Sequence, residues 1–359
     1  MTPASSPTSG ACATGIIEVT KLGAPPWPTL DPFLFCVHHH DAYPAGNASM
    51  ALDQSTLHGR NIGMDFSAAQ GWSMYHGDTV PGFPRHPHRG FETVTLARHG
   101  YIDHADSLGA TARFGQGDVQ WMTAGAGIVH SEMFPLLNDA EPNPTELFQI
   151  WINLPADDKL NDPHFTMFWA HDIPRVELQD NNRANKASGE IVVVAGTTPD
   201  GRQAPAPPPS SWASRANSDV AIWTVSLEAN ASCAIPAAAA GLNRVLYFFD
   251  GDAITVNGDP ILGGHAIQAH SNWKLDICSQ GRAAELLLLQ GRPINEPVAQ
   301  RGPFVMNSNE EIRQAIGDFQ RTQFGGWPWS SDGPVHPRSE GRFARHPDGT
   351  TERPTDASE

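Results

Sequence analysis

Apolar positions come in short runs, broken every few residues by glycine, proline or charged residues. Runs rich in β-branched and aromatic residues at 91–96, 118–122, 147–154, 189–195, 220–227, 244–249, 253–256 and 284–289 predict strands. Turn sequences such as Asn257-Gly258-Asp259-Pro260 and Asp250-Gly251-Asp252 separate them. One segment reads clearly as a helix. Ser308 and Glu311 match a capping box, and Ile312, Ala315, Ile316 and Phe319 follow at helical spacing. Glu310 and Glu311 sit at its positive end and Arg321 near its negative end. The pattern is that of a β-barrel or sandwich protein with a C-terminal helix, not of alternating βαβ units.

Composition narrows the classes. No apolar run approaches the roughly 20 residues that span a bilayer, so no membrane association is expected. The opening MTPASSPTSGACATG has neither a basic start nor an apolar core, and predicts no secretory signal. Cys12, Cys36, Cys233 and Cys278 are scattered without C-x-x-C pairs, which favours reduced thiols in a cytoplasm. The net charge of −16 and the absence of a basic run argue against direct nucleic-acid binding. The 197–211 stretch, rich in proline and alanine, predicts an exposed loop, and the residues after Gly325 a polar tail.

Histidine is unevenly distributed, with ten of the 16 in the first 130 residues. Within "RHPHRGFETVT", His86 and His88 are two apart, and strand residues at i and i+2 share a face. "GIVHSEMF" repeats that spacing with His130 and Glu132. Two such dyads on neighbouring strands can set three imidazoles and a carboxylate around one point, leaving coordination positions open for oxygen or a chelating substrate. Spacing alone leaves a surface pair or a satisfied core pair as the alternative. The donor types suit Fe(II), Mn, Ni or Cu better than a closed structural zinc site.

The segments "GFPRHPHRGFETVT", "DHADSLG", "GDVQWMTAGAGIVHSEMF", "LFQIWINLP" and "GPFVMNSNEEI" closely resemble the pirin family of the cupin superfamily, over about residues 31–319. The resemblance implies an all-β fold of two tandem double-stranded β-helix barrels, a bicupin, with one metal in the first. Its ligands would fall on His86, His88, His130 and Glu132. The metal implied is one transition ion per chain, Fe(II) foremost, with Mn, Ni, Cu or Zn as alternatives. The expected organisation is an N-terminal extension (1–30), a metal-binding barrel (31–155), a second barrel (156–307), a helix (308–324) and a polar tail (325–359).

Other residues carry weaker expectations. Glu92 occupies the place of a ligand in many cupins, but the pirin pattern gives that role to Glu132 and leaves Glu92 a supporting or pocket role. Asp103 and His104 read as a solvated turn, and Trp121 as core. In His38-His39-His40, a departure from the pirin pattern, His38 and His40 would share a face and could line a pocket entrance. His265 and His270 form no dyad, so the second barrel is expected to be metal-free.

Two functions follow from the resemblance. One is a dioxygenase that opens a flavonol such as quercetin with O2, holding its 3-hydroxyl and 4-carbonyl at the metal, with Glu132 as a possible proton acceptor. The other is a metal- or redox-dependent regulator that binds a protein partner. A different cupin reaction, such as isomerisation of a small oxygenated substrate, is a third reading. The expected partners are a small aromatic or flavonol-like substrate, O2 and, for the regulator, a protein.

Overall fold

The computed structural model describes residues 14–179 and 187–355; Cys12 lies outside them. The chain divides into two compact units. The larger gathers Ala24–Pro174, Val193–Ala221 and the described part of Gly291–Glu359. The smaller gathers the described parts of Met1–Gly23 and Arg175–Val192 with Ile222–Gln290.

Two large antiparallel sheets, with a two-stranded one (Ala299–Arg301 and Phe304–Met306), build the larger unit. A five-stranded sheet runs in the order His164–Phe168, Val119–Thr123, Phe91–His99, Asn143–Asn153, Phe33–Tyr43. A six-stranded sheet runs Thr351–Glu352, Phe343–Arg345, Thr111–Gly115, Tyr101–Asp106, Ile128–Met133, Gly82–His88. Along Phe33–Tyr43, the two-residue period puts Phe35, Val37, His39 and Asp41 on one face, in register with Trp151, Gln149, Leu147 and Thr145. Phe91–His99 is buried from Phe91 to Ala97 because both of its faces are covered.

The smaller unit pairs a seven-stranded with a four-stranded sheet. In the latter, Val256 pairs with Asp259 across a two-residue loop, with Asn257 and Gly258 both at positive φ (49° and 92°). The turn that the sequence predicts there is thus the two-residue loop of an Asn-Gly hairpin.

The helix forms as Asn309–Thr322. Ser308 Oγ accepts from the Glu311 backbone N–H and donates to Glu311 Oε2. Ile312 and Ala315 are buried in a cluster with Val129, Phe304, Met306 and Phe324, flanked by Ile316 and Phe319. Val129 belongs to Ile128–Met133, so the helix braces that strand. The Phe324 ring lies where a Cβ on Gly127 would sit (2.6 Å), and Gly127 has φ +133°, so this contact requires glycine.

Two expectations are corrected. The N-terminal extension contains the strand Ile16–Lys21, paired with His265–Ala269 in the smaller unit. The polar tail is docked: Phe343–Arg345 pairs with Thr111–Gly115, and Phe343 and Ala344 are buried. The 197–211 stretch is a loop with many exposed positions, as expected, and Ser211 at its end is fully buried because its hydroxyl serves a buried carboxylate. The units accordingly cut across the expected boundary at 155/156, since residues 156–174, 193–221 and 291–355 belong with the larger unit.

Candidate metal centre

His86 and His88 lie on Gly82–His88, and His130 and Glu132 on the neighbouring Ile128–Met133. A register shift between Phe83 and His86 brings His86 directly opposite His130. Ring centroids are 4.4 Å apart for His86 and His130, 4.8 Å for His86 and His88, and 4.9 Å for His88 and His130. One donor atom from each of the three lies within 4.8 Å of the others.

The nitrogens fit a metal. His86 Nδ1 donates to the Pro84 carbonyl at 2.9 Å, which leaves its Nε2 lone pair free to ligate. His88 Nδ1 and both ring nitrogens of His130 are buried without a partner among the described residues, a costly state unless a cation takes a lone pair. Burial pushes His86 down to about 4, and His88 and His130 well below the ordinary range. All three are therefore neutral, the form that binds metal.

Glu132 shares the inward face but stands outside that three-donor cluster. Its Oε1 accepts from Thr95 Oγ1 (2.9 Å) and its Oε2 from Gln149 Nε2 (2.7 Å). Burial raises its pKa, opposed by Thr95, His104 and Gln149. The structure thus joins three of the four residues singled out by spacing and holds the fourth beside them on neutral donors.

His104 was misread. It and Asp103 lie in the strand Tyr101–Asp106, both fully buried, with His104 opposite Glu132 and its ring 5.5 Å from that of His130. His104 Nε2 meets Asp106 Oδ2 at 3.2 Å, and its ring stacks on Phe165. The available signal was His104 and Asp106 at i, i+2 spacing, the same device as in the two recognised dyads.

Glu92 lies on the opposite face of its strand from Thr95. It accepts from Trp121 Nε1 (3.2 Å), Thr123 Oγ1 (2.8 Å) and Ser211 Oγ (2.6 Å). It does not line the cavity described below, so the pocket role is corrected. Trp121 is buried core.

A cavity of about 780 Å3 opens on His86, His88, Thr95 and Glu132. Phe35 and Trp151 stack at 4.5 Å on one part of its wall, and Tyr75 and Phe83 at 5.1 Å on another. All three residues of the His38-His39-His40 run border it, but the side chains divide. His38 stacks on Phe148 and meets Glu146 Oε1 at 2.9 Å, whereas the His39 ring packs on Tyr75 and Phe83. Alternation turns the middle histidine inward and its neighbours outward.

Two strand-built units, one with a three-imidazole cluster beside an aromatic-walled cavity, define a bicupin with a candidate metal centre. Residues 24–152 match the family Pirin, and residues 222–325 match the Pirin C-terminal cupin domain. The chain belongs to the pirin family. A Pseudomonas aeruginosa protein provisionally named a quercetin 2,3-dioxygenase is 38% identical over 246 residues, covering 68% of this chain and 79% of its own. Human pirin is 32% identical over 269 residues, covering 70% and 80% respectively. The fold also resembles a crystal structure of quercetin 2,3-dioxygenase from Acinetobacter baumannii, with a TM-score of 0.67 and 25% identity, covering 87% of this chain and 98% of that one.

Proposed function

We propose that the protein is a metal-dependent dioxygenase that opens a flavonol-like aromatic, with quercetin as the type substrate. The observation that carries this reading is that a cluster of three neutral imidazoles, with His88 Nδ1 and both His130 nitrogens lacking a partner among the described residues, adjoins a large aromatic-walled cavity lined by His86 and His88. Relatives that bear the quercetin dioxygenase name support it. His86, His88 and His130 would hold one ion with Glu132 as the oxygen donor, a set that suits Fe(II). Such an ion supplies Lewis-acid and redox chemistry: it lowers the pKa of a bound hydroxyl and makes reaction with O2 possible.

The chain's own groups do the rest. The aromatic pairs Phe35–Trp151 and Tyr75–Phe83 orient a planar substrate by stacking and exclude water from it. Glu132 accepts the proton of the substrate hydroxyl, held in place by Thr95 and Gln149. The scattered cysteines, with Cys36 and Cys233 buried as free thiols, favour a cytoplasmic setting. No described helix is long and apolar enough to cross a membrane.

Elemental analysis and O2 uptake with quercetin test the proposal together. Wild type should hold close to one metal per chain and consume O2 as the flavonol absorbance falls. His88→Ala combined with His130→Ala should lose the metal, and Glu132→Ala should slow turnover by about 100-fold or more. Metal retained by the double variant would refute the site. Turnover in metal-free protein would refute the mechanism, and metal-dependent capture of a protein partner without turnover would favour the regulator.

A further inference from the structure

The middle residue of the His38-His39-His40 run is not explained by the metal centre. His39 is 9% exposed, faces the cavity, and no described group hydrogen-bonds its ring. Burial and the neighbouring His38 push it down to about 3, so the ring is neutral and offers one donor and one acceptor. A neutral imidazole that lines a ligand cavity and has no described hydrogen-bond partner is poised to meet a polar group of the ligand.

Its surroundings fix its position. The Tyr75 ring meets it edge-on at 4.7 Å, and the Tyr75 hydroxyl donates to Asp41 Oδ2 at 2.7 Å. Asp41 is two residues along the same face, and its Oδ1 accepts from the Ser73 N–H at 2.8 Å. Tyr75 has φ +56°, a conformation that non-glycine residues adopt only where surroundings enforce it. Bridges to Asp65 and Gly82 hold it there. Phe83 separates this assembly from the metal cluster, with its ring 5.8 Å from His39 and 6.3 Å from His86. His39 is therefore a polar point between the aromatic rings of Tyr75 and Phe83 in the cavity wall, distinct from the three clustered histidines.

We propose that His39 is a specificity-determining residue: its imidazole hydrogen-bonds a hydroxyl of the substrate remote from the group held at the histidine cluster. The cavity would then select polyhydroxylated planar aromatics over those that carry only a chelating hydroxyl–carbonyl pair. This rests on the cavity being the substrate site, as proposed above.

The test compares quercetin with 3-hydroxyflavone, which keeps the chelating pair and lacks the other hydroxyls. Dissociation constants are measured on metal-loaded protein without oxygen, by quenching of tryptophan fluorescence. Wild type should prefer quercetin by about tenfold or more. His39→Phe, which keeps a ring against Tyr75 and Phe83, should bring the ratio near one with metal content unchanged. His39→Leu makes the same test should the larger ring not be accommodated, and His39→Gln should recover part of the preference. An undiminished preference in both apolar variants would overturn the proposal. Equal binding of the two flavonols by wild type would overturn it while leaving the dioxygenase reading intact. Binding of neither would overturn both.

Discussion

Glu92 and Glu132 are both buried carboxylates in the larger unit, and their donors give them different work. Glu132 faces the cavity, beside the three imidazoles, whereas Glu92 is enclosed by Trp121, Thr123 and Ser211. Burial outweighs those three hydrogen bonds and pushes Glu92 up to about 7 from an ordinary 4.5. The folded protein therefore keeps a proton that the unfolded chain gives up over that interval. The associated stability is fully present below about 4.5 and is lost as the pH rises through about 7. Glu92→Gln imitates the protonated form and should not show that loss. Urea unfolding between about pH 5 and pH 8 should find wild type losing on the order of 2–3 kcal/mol relative to the variant. Parallel curves would mean that Glu92 titrates normally.

At the scale of elements, local periodicity made the sequence legible and long-range pairing made it opaque. The capping box at Ser308 and the spacing of Ile312, Ala315, Ile316 and Phe319 lie within one helix, so they could be read directly. The His86/His88 and His130/Glu132 dyads could be read because strand period is equally local. His104 was hidden because Tyr101–Asp106 buries polar residues at its Asp-His-Ala-Asp end, which reads as a solvated turn when its partner strands are unknown. The two strands that carry the clustered histidines also gain support that no motif announces. Arg89 follows His88, donates to the Ala126 carbonyl (2.6 Å) and Asp318 (2.8 Å), and lies over the Phe324 ring. Ile312 is buried in the cluster that includes Val129, next to His130. Ile312→Ala should cost about 2–5 kcal/mol by chemical denaturation, against nearly nothing for the exposed Glu310→Ala. Equal effects would show that the helix is not packed through this face.

Across the whole chain, the ends return to units far from them in sequence, and the tail is the clearest case. Its composition is polar because its anchors are mostly backbone carbonyls, which leave no pattern in the side chains. Arg113, fully buried, donates through Nε and NH2 to Asp103, and also to the carbonyls of His336, Pro337 and Glu340. The His336 N–H donates back to Asp103 Oδ2, and Trp329 Nε1 donates to the Asp106 carbonyl at 2.8 Å. Arg338 reaches the carbonyls of Leu137 and Asn47. Phe343–Arg345 covers the edge of Thr111–Gly115, which would otherwise offer unpaired backbone groups. Removing the residues after Gly326 would strip these partners from a buried ion pair and expose that edge. The cost should be about 3 kcal/mol or more, a fall in melting temperature of roughly 6–12 °C. Calorimetry on the truncated chain measures it, and light scattering should detect self-association through the uncovered strand. An unchanged melting temperature would mean that Asp103 and Arg113 hold the barrel wall without the tail.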